Sequence, residues 1–407
     1  MTVDTPGLRE EANDLLSGAV ELRRTLHQWP ELGNDLPITQ EHVLGAIEGL
    51  GLDVTVHEST SGIAAMLTGG RPGPTILLRG DMDALPLHED TGLDFASRVE
   101  HSMHACGHDT HTAMLVGAAK LLAGRRDDLA GRVLFMFQPG EEGHHGARFM
   151  LEEGLLDQSG GERPSGAFAL HISTLYETGT IDVRPGPMLA SGDTLRITVR
   201  GRGGHASTPH TAVDPITVAA EIVLALQLMV TRRVDAFDPA VVTIAQVVAG
   251  TTTNIIPETA FLAGTMRTVS AERREAVKAE VRRVCEGIAA AHGASVDVEI
   301  EPGYPVTVND DAFTELVLEV AKEVVGEEAT RLLRAPIMGA EDFSYVLQQV
   351  PGAMAFVGAR PPDEDPATAP MNHSNRVVFD ETAMAAGIAT YVGVARRFLS
   401  GGSRSEV

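Results

Sequence analysis

The histidines of this chain are unevenly placed: six of its fifteen lie between His101 and His145, in HSMHACGHDTH and EEGHH. Acids and imidazoles also follow strand-like apolar runs. TILLR leads to Asp81 and Asp83, VLFMF to Glu141 and Glu142, AFAL to His171 and, at greater distance, AMAFVG to His373. Cys106 stands inside the first histidine cluster, as Cys106-Gly107-His108. In open α/β sheets, ligands bind in the crevice beyond the carboxyl ends of the strands, so separate strands would deliver these groups to one edge. Taken singly, each has an ordinary explanation: a Glu-Glu pair as a solvated turn, a lone His or Asp as a loop or capping residue. Together they form a mixed oxygen, nitrogen and sulfur donor set. Such a set suits zinc and its neighbours in the transition series, whereas magnesium or calcium would want oxygen alone.

The elements that must position these groups follow from periodicity. Helical spacing runs from Leu8 to His27 and from Thr39 to Leu50, the latter closed by Gly51. Strand-like runs occur at Val54–Val56, Ile63–Leu67, Thr75–Leu78, Val133–Phe137 and Ala167–Leu170. Continuous apolar runs such as TILL and VLFMF imply strands covered on both faces, hence a mixed, largely parallel sheet flanked by helices, an α/β fold. Near Pro187 the texture changes. LRITV, a helix opened by Asp214-Pro215 and running to about Arg232, VVTIAQVVAG, FLAGTMRT, a helix from Ser270 to about Ala291, and SVDVEI follow in order. This β-α-β-β-α-β succession is the split βαβ arrangement. The expected organisation is therefore a discontinuous domain, residues 1–187 and 302–407, around an inserted α+β unit, residues 188–301.

The chain has 407 residues and a formal net charge of −24, with 43% apolar and 22% charged residues, enough for two or three packed domains. That acidity argues against a nucleic-acid or anionic-membrane partner, since both would repel it. The opening MTVDTPGLREEANDLL has neither a basic nor an apolar signal-peptide region, so a cytoplasmic location is expected. The most apolar stretch, Ile216 to Val230, is interrupted by Glu221 and Gln227 and reads as too short to span a bilayer. The tail SGGSRSEV reads as a low-complexity end. With only two cysteines a disulfide framework is excluded, and Cys285, beside the apolar stripe Val277, Val281, Val284 and Ile288, reads as a core thiol.

RGDMDALP, MHACGHDTH, QPGEEG, GRGGHASTPH, NIIPE, GAEDF and the late NHS together resemble the di-metal amidohydrolases related to aminoacylase. Within these, the resemblance is to the branch of hippurate hydrolases and auxin-conjugate hydrolases. It covers nearly the whole chain, in order. It implies two divalent ions, of zinc, manganese, cobalt or nickel, bridged by Cys106, with His108, Glu142, His171 and His373 completing the ligands. Glu141 would be the general base on a water shared by the ions, and Asp83 would orient a ligand imidazole. In more distant relatives the bridge is an aspartate and a histidine occupies the place of Asp81. The inserted unit would act as lid and dimerisation surface, its His205 stabilising the oxyanion, while Asn254 and Arg267 hold the substrate carboxylate. The implied reaction is hydrolysis of a small N-acyl amino acid to a carboxylic acid and a free amino acid, by a homodimer or a higher homo-oligomer.

Three positions depart from the pattern: Gly140 where alanine is commoner, His144-His145 in place of small residues, and Ile-Ser-Thr after His171. Plainer readings stand beside the assigned roles, namely His171 as a strand-end histidine bonded to backbone, His205 as an exposed turn residue and Arg267 as a surface arginine. Two other functions remain open at this stage. One is a thiol amidohydrolase using Cys106 with His108, which leaves Glu141, Glu142, His171 and His373 without a task. The other is a non-catalytic member that only binds a ligand.

Overall fold

The computed structural model describes residues 7–158 and 162–401, so the last residues of the tail read as low-complexity and the first of the opening segment lie outside it. The chain divides into two compact units. One runs through Met188 and takes in Val308–Ala335 and everything from Asp342; the other is Leu189–Thr307 with Pro336–Glu341.

In the first unit the apolar runs become the centre of an eight-stranded mixed sheet. Its order is Asp53–Val56, Ile63–Thr68, Ala130–Gln138, Arg71–Asp81, Gly166–Glu177, Gly352–Arg360, Ile181–Val183 and Thr330–Leu332. The four central strands, from Ala130–Gln138 to Gly352–Arg360, are parallel. Ile76, Leu77 and Leu78, and likewise Val133 to Phe137, are fully buried. Unbroken apolarity there reflects cover on both faces, as expected of parallel strands. The helices Leu8–Gln28, His108–Ala123 and Met384–Leu399 pack against one another, and the latter two lie on Arg71–Asp81. Tyr391 on the last helix stitches two strands together, its Oη donating to the Arg79 carbonyl at 2.6 Å and accepting the Leu170 N–H at 3.0 Å.

The second unit contains the expected β-α-β-β-α-β succession as a four-stranded antiparallel sheet in the order Ala240–Ala249, Thr259–Thr268, Ser191–Arg200, Ser295–Pro302. Alternation is clean on Ser191–Arg200, where Leu195, Ile197 and Val199 are buried. The Asp214 side chain accepts the Ile216 N–H and so caps the helix Pro215–Arg233, as its sequence implies. That helix runs for 19 residues and, by length and composition, is long and apolar enough to cross a membrane, which corrects the shorter estimate from Ile216–Val230. Its Val218, Ile222, Leu226 and Met229 are buried in the core of this unit, the packing of an amphipathic helix on a sheet. Cys285 is buried in the same core. Met188, expected in the insert, belongs to the first unit, and residues 302–307 and 336–341 were expected with the discontinuous domain. These two segments belong instead to the second unit, the latter because the Ala190 N–H bonds the Ile337 and Gly339 carbonyls and Leu189 bridges Ile337.

Candidate active site

The parallel strands end where the sequence places its donors. Arg71–Asp81 terminates at Asp81, with Asp83 two residues on, and Ala130–Gln138 feeds the loop carrying Glu141 and Glu142. Cys106 precedes the helix His108–Ala123 through Gly107, whose φ is +89° and where an added Cβ would lie 2.4 Å from Ile172 Cγ2. Only glycine fits both demands, so the Cys-Gly-His turn delivers sulfur and imidazole together. His171 does not follow its strand, as expected, but sits within Gly166–Glu177. Pairing with Arg71–Asp81 stops at Ala169, while the register with Gly352–Arg360 continues past His171, opposite Phe356. His373 lies in a loop at φ +70°, its N–H donating to the Ala105 carbonyl at 2.9 Å.

These side chains converge. Cys106 Sγ is 3.3 Å from His171 Nε2 and 3.3 Å from His373 Nε2, and His373 Nε2 is 3.1 Å from Glu142 Oε1. Two close donor triads result, Cys106-His108-His171 and Cys106-Glu142-His373, sharing one sulfur. Asp83 does more than its sequence role requires. His108 Nδ1 is 2.9 Å from the Asp83 carbonyl and 3.3 Å from Oδ1, while Oδ1 and Oδ2 accept the N–H groups of Glu141 and Glu142, each at 3.0 Å. One carboxylate thus orients an imidazole and fixes the backbone of both glutamates.

The electrostatics describe a buried site crowded with carboxylates. Burial and the neighbouring carboxylates of Glu142 and Glu141 push the Cys106 thiol well above its usual range. Although burial alone would favour the neutral ring, Asp81 and Asp83 raise His108 to about 10. Burial together with His111 holds His171 far below the usual imidazole value. His108 Nε2 is buried without a hydrogen-bond partner, and Glu142 Oε1 has the His373 imidazole beside it. Buried donors of mixed chemistry around a shared sulfur, with an imidazole nitrogen left unpaired, are what a pair of divalent cations would satisfy, so the residues fit the group. The Cys106–His108 dyad expected of a thiol nucleophile is not hydrogen-bonded among the described residues. Cys106 Sγ instead lies against His171, His373 and Glu142, the groups that a nucleophile paired with His108 would leave without a task.

Of the remaining sequence candidates, His144 and His145 join no donor group among the described residues. The His144 carbonyl accepts from Asn34 Nδ2 at 3.0 Å, and His145 Nδ1 lies 3.0 Å from Tyr345 Oη, so this pair shapes the loop. Gly140 matters more than its sequence suggests. Its φ is +67°, and a Cβ there would sit 1.8 Å from Asn34 Oδ1. Gly140→Ala, which installs the family's commoner residue, is expected to cost about 1–3 kcal/mol of strain in the loop holding Glu141, roughly tenfold or more in kcat/KM. Asn34→Ala in the same chain should restore part of it. Additive losses in the double-mutant cycle would show that the two positions are uncoupled.

His205, Asn254 and Arg267 all lie in the second unit. His205 pairs with Ile255 in a short ladder, is exposed, and its Nδ1 accepts from the Ser207 N–H at 3.1 Å, which leaves the Nε2–H free to donate. The Asn254 carbonyl accepts the Ala206 N–H at 3.0 Å, so these two residues are neighbours. Arg267, opposite Gly192 on Thr259–Thr268, is half-buried, and its guanidinium makes no hydrogen bond or ion pair among the described residues.

Sequence reasoning missed a buried layer behind the site. Asp109 is paired with Arg23 Nε at 2.8 Å and His27 Nδ1 at 2.7 Å; Asp81 is paired with Arg79 at 2.6 Å. Asn372 Nδ2 donates to the carbonyls of Cys106 at 3.0 Å and Ile172 at 2.9 Å. The i, i+3 spacing of His108 and His111 on one helical face was the available signal.

A sequence profile described as peptidase family M20/M25/M40 matches residues 77–397. The chain is 35% identical to thermostable carboxypeptidase 1 of Saccharolobus solfataricus, over 96% of this chain and 98% of that one. It is 39% identical to N-acetylcysteine deacetylase of Bacillus subtilis, over 85% and 89% of the two chains. It is 35% identical to IAA-amino acid hydrolase ILR1-like 4 of Arabidopsis thaliana, over 95% and 87%. A solved dinuclear metal binding peptidase of Bacillus subtilis superposes with a TM-score of 0.81 at 34% identity, over 95% and 99% of the chains.

Proposed function

The chain belongs to peptidase family M20/M25/M40, and from that premise we propose that it hydrolyses the amide bond of N-acyl amino acids, releasing a carboxylic acid and a free amino acid. It is a metal-binding amidohydrolase, acting on carbon–nitrogen bonds other than peptide bonds. The observation that carries the finer reading is the pair of donor triads sharing Cys106 Sγ beside a glutamate whose backbone Asp83 fixes. Cys106, His108, Glu142, His171 and His373 would hold two divalent ions from among zinc, manganese, cobalt and nickel. When bound, such ions polarise a carbonyl and lower the pKa of water from 15.7 to about 7. The Glu141 carboxylate takes a proton from the attacking water and returns it to the amide nitrogen as the amine departs. Adjacent glutamates divide these tasks because Glu142 turns its oxygen to His373. His205 stabilises the oxyanion through its free Nε2–H, and Arg267, aided by Asn254, grips the substrate carboxylate as a guanidinium fork.

The test is a screen of metal-reconstituted protein against N-acetyl, N-benzoyl and indoleacetyl amino acids, each beside its carboxamide. The free carboxylates should be preferred, and Arg267→Ala should raise their KM roughly ten- to hundredfold, the worth of a charge-assisted hydrogen bond, with kcat little changed. No hydrolysis across the panel would overturn the reading and favour a member that only binds. We further propose a homodimer through the second unit. The support is apolar surface on its helix and edge strand, where Leu224, Leu228 and Val247 are 72%, 61% and 60% exposed. A monomer in sedimentation would contradict it.

A further inference from the structure

His111 has no assigned task, yet it is completely buried beside the donor triads, its ring centroid 5.3 Å from that of His108 and 4.7 Å from that of His171. Asp81, His108 and His111 lie close enough together to suggest a cation of their own. Both nitrogens of His111 are already committed, so it has no lone pair to offer. Its Nε2 accepts the Ile172 N–H at 2.7 Å, and its Nδ1 lies 2.5 Å from Asp81 Oδ1. A backbone N–H only donates, so Nε2 is the bare nitrogen and the proton sits on Nδ1, pointing to Asp81.

Ile172 is the residue that aims His171. Its carbonyl accepts from His171 Nδ1 at 2.7 Å, which leaves His171 Nε2 bare and directed at Cys106 Sγ. The same carbonyl accepts from Asn372 Nδ2 at 2.9 Å. Both backbone polar groups of Ile172 are therefore fixed by side chains from other segments, the N–H by His111 and the carbonyl by Asn372. Asp81, anchored to Arg79, fixes the tautomer of His111 in turn.

We propose that His111 is a positioning residue that, through Ile172, sets the orientation of His171 and with it the affinity for the ion His171 serves. This rests on the two-ion reading of the site. An asparagine side chain reaches the place of Nδ1 and keeps the partner of Asp81, but leaves the Ile172 N–H unpaired; glutamine sets an amide oxygen near the place of Nε2. Apoprotein is titrated with zinc alone against a competing chelator. His111→Asn should weaken one of the two ions about 10- to 100-fold and leave the other within roughly threefold, while His111→Gln keeps both within roughly threefold. Wild-type binding by His111→Asn, or an equal loss in both variants, would overturn the proposal. Should either variant fail to fold, nitrogen-15 spectra of wild-type histidines decide: His111 should carry its proton on Nδ1, and an Nε2-protonated ring would overturn the proposal. A wild-type protein that binds no ion pair would instead sink the two-ion reading and leave the tautomer result standing.

Discussion

Replacing Glu141 by glutamine is expected to leave two ions bound and to lower kcat by about 10²- to 10⁴-fold, roughly 3 to 5 kcal/mol of barrier. Amide cleavage needs a group that removes a proton from water and returns it to the leaving nitrogen. Glu141 is only 6% exposed, its N–H is tied to Asp83, and its neighbour Glu142 is engaged with His373. Glutamine preserves shape and burial but cannot accept the proton, so KM should change little. Elemental analysis beside steady-state kinetics checks this. A variant arriving with fewer ions would make Glu141 a ligand, and one with wild-type turnover would remove it as the base.

Cys106→Ala should have the largest effect on metal content, because one sulfur serves both donor triads. Zinc sites with four ligands bind with about 10–16 kcal/mol, or on the order of 3 kcal/mol per ligand, so each ion should weaken by roughly 100-fold or more. Cys106→Asp replaces one anionic donor by another and should recover much of the binding and measurable turnover with added metal. That activity would exclude a thiol nucleophile. Wild-type activity in the presence of a strong chelator would exclude the metal mechanism instead.

The parts legible in the sequence are those set by local pattern. Unbroken apolarity at Ile76–Leu78 and Val133–Phe137 marks strands covered on both faces, and alternation at Leu195, Ile197 and Val199 marks a half-covered one. The position of Glu141 and Glu142 just beyond Ala130–Gln138 follows from that strand's end, whereas the full set Cys106, His108, Glu142, His171 and His373 is implied only by the resemblance. What escaped depends on partners distant in the chain. His171 lies inside its strand because Gly352–Arg360 continues the pairing that Arg71–Asp81 ends. His111 and Asn372 act through a backbone group 61 and 200 residues away, which no periodicity encodes. Gly140 reads as a harmless substitution until Asn34 occupies the space its missing side chain leaves.

The central claim is that two cations share the Cys106 sulfur. Anomalous diffraction from crystals grown with a single transition metal tests it most directly. The expected map holds two peaks per chain, one among Cys106, His108 and His171 and one among Cys106, Glu142 and His373. A single peak, two peaks that do not both border the sulfur, or none at full metal occupancy elsewhere in the crystal would contradict it.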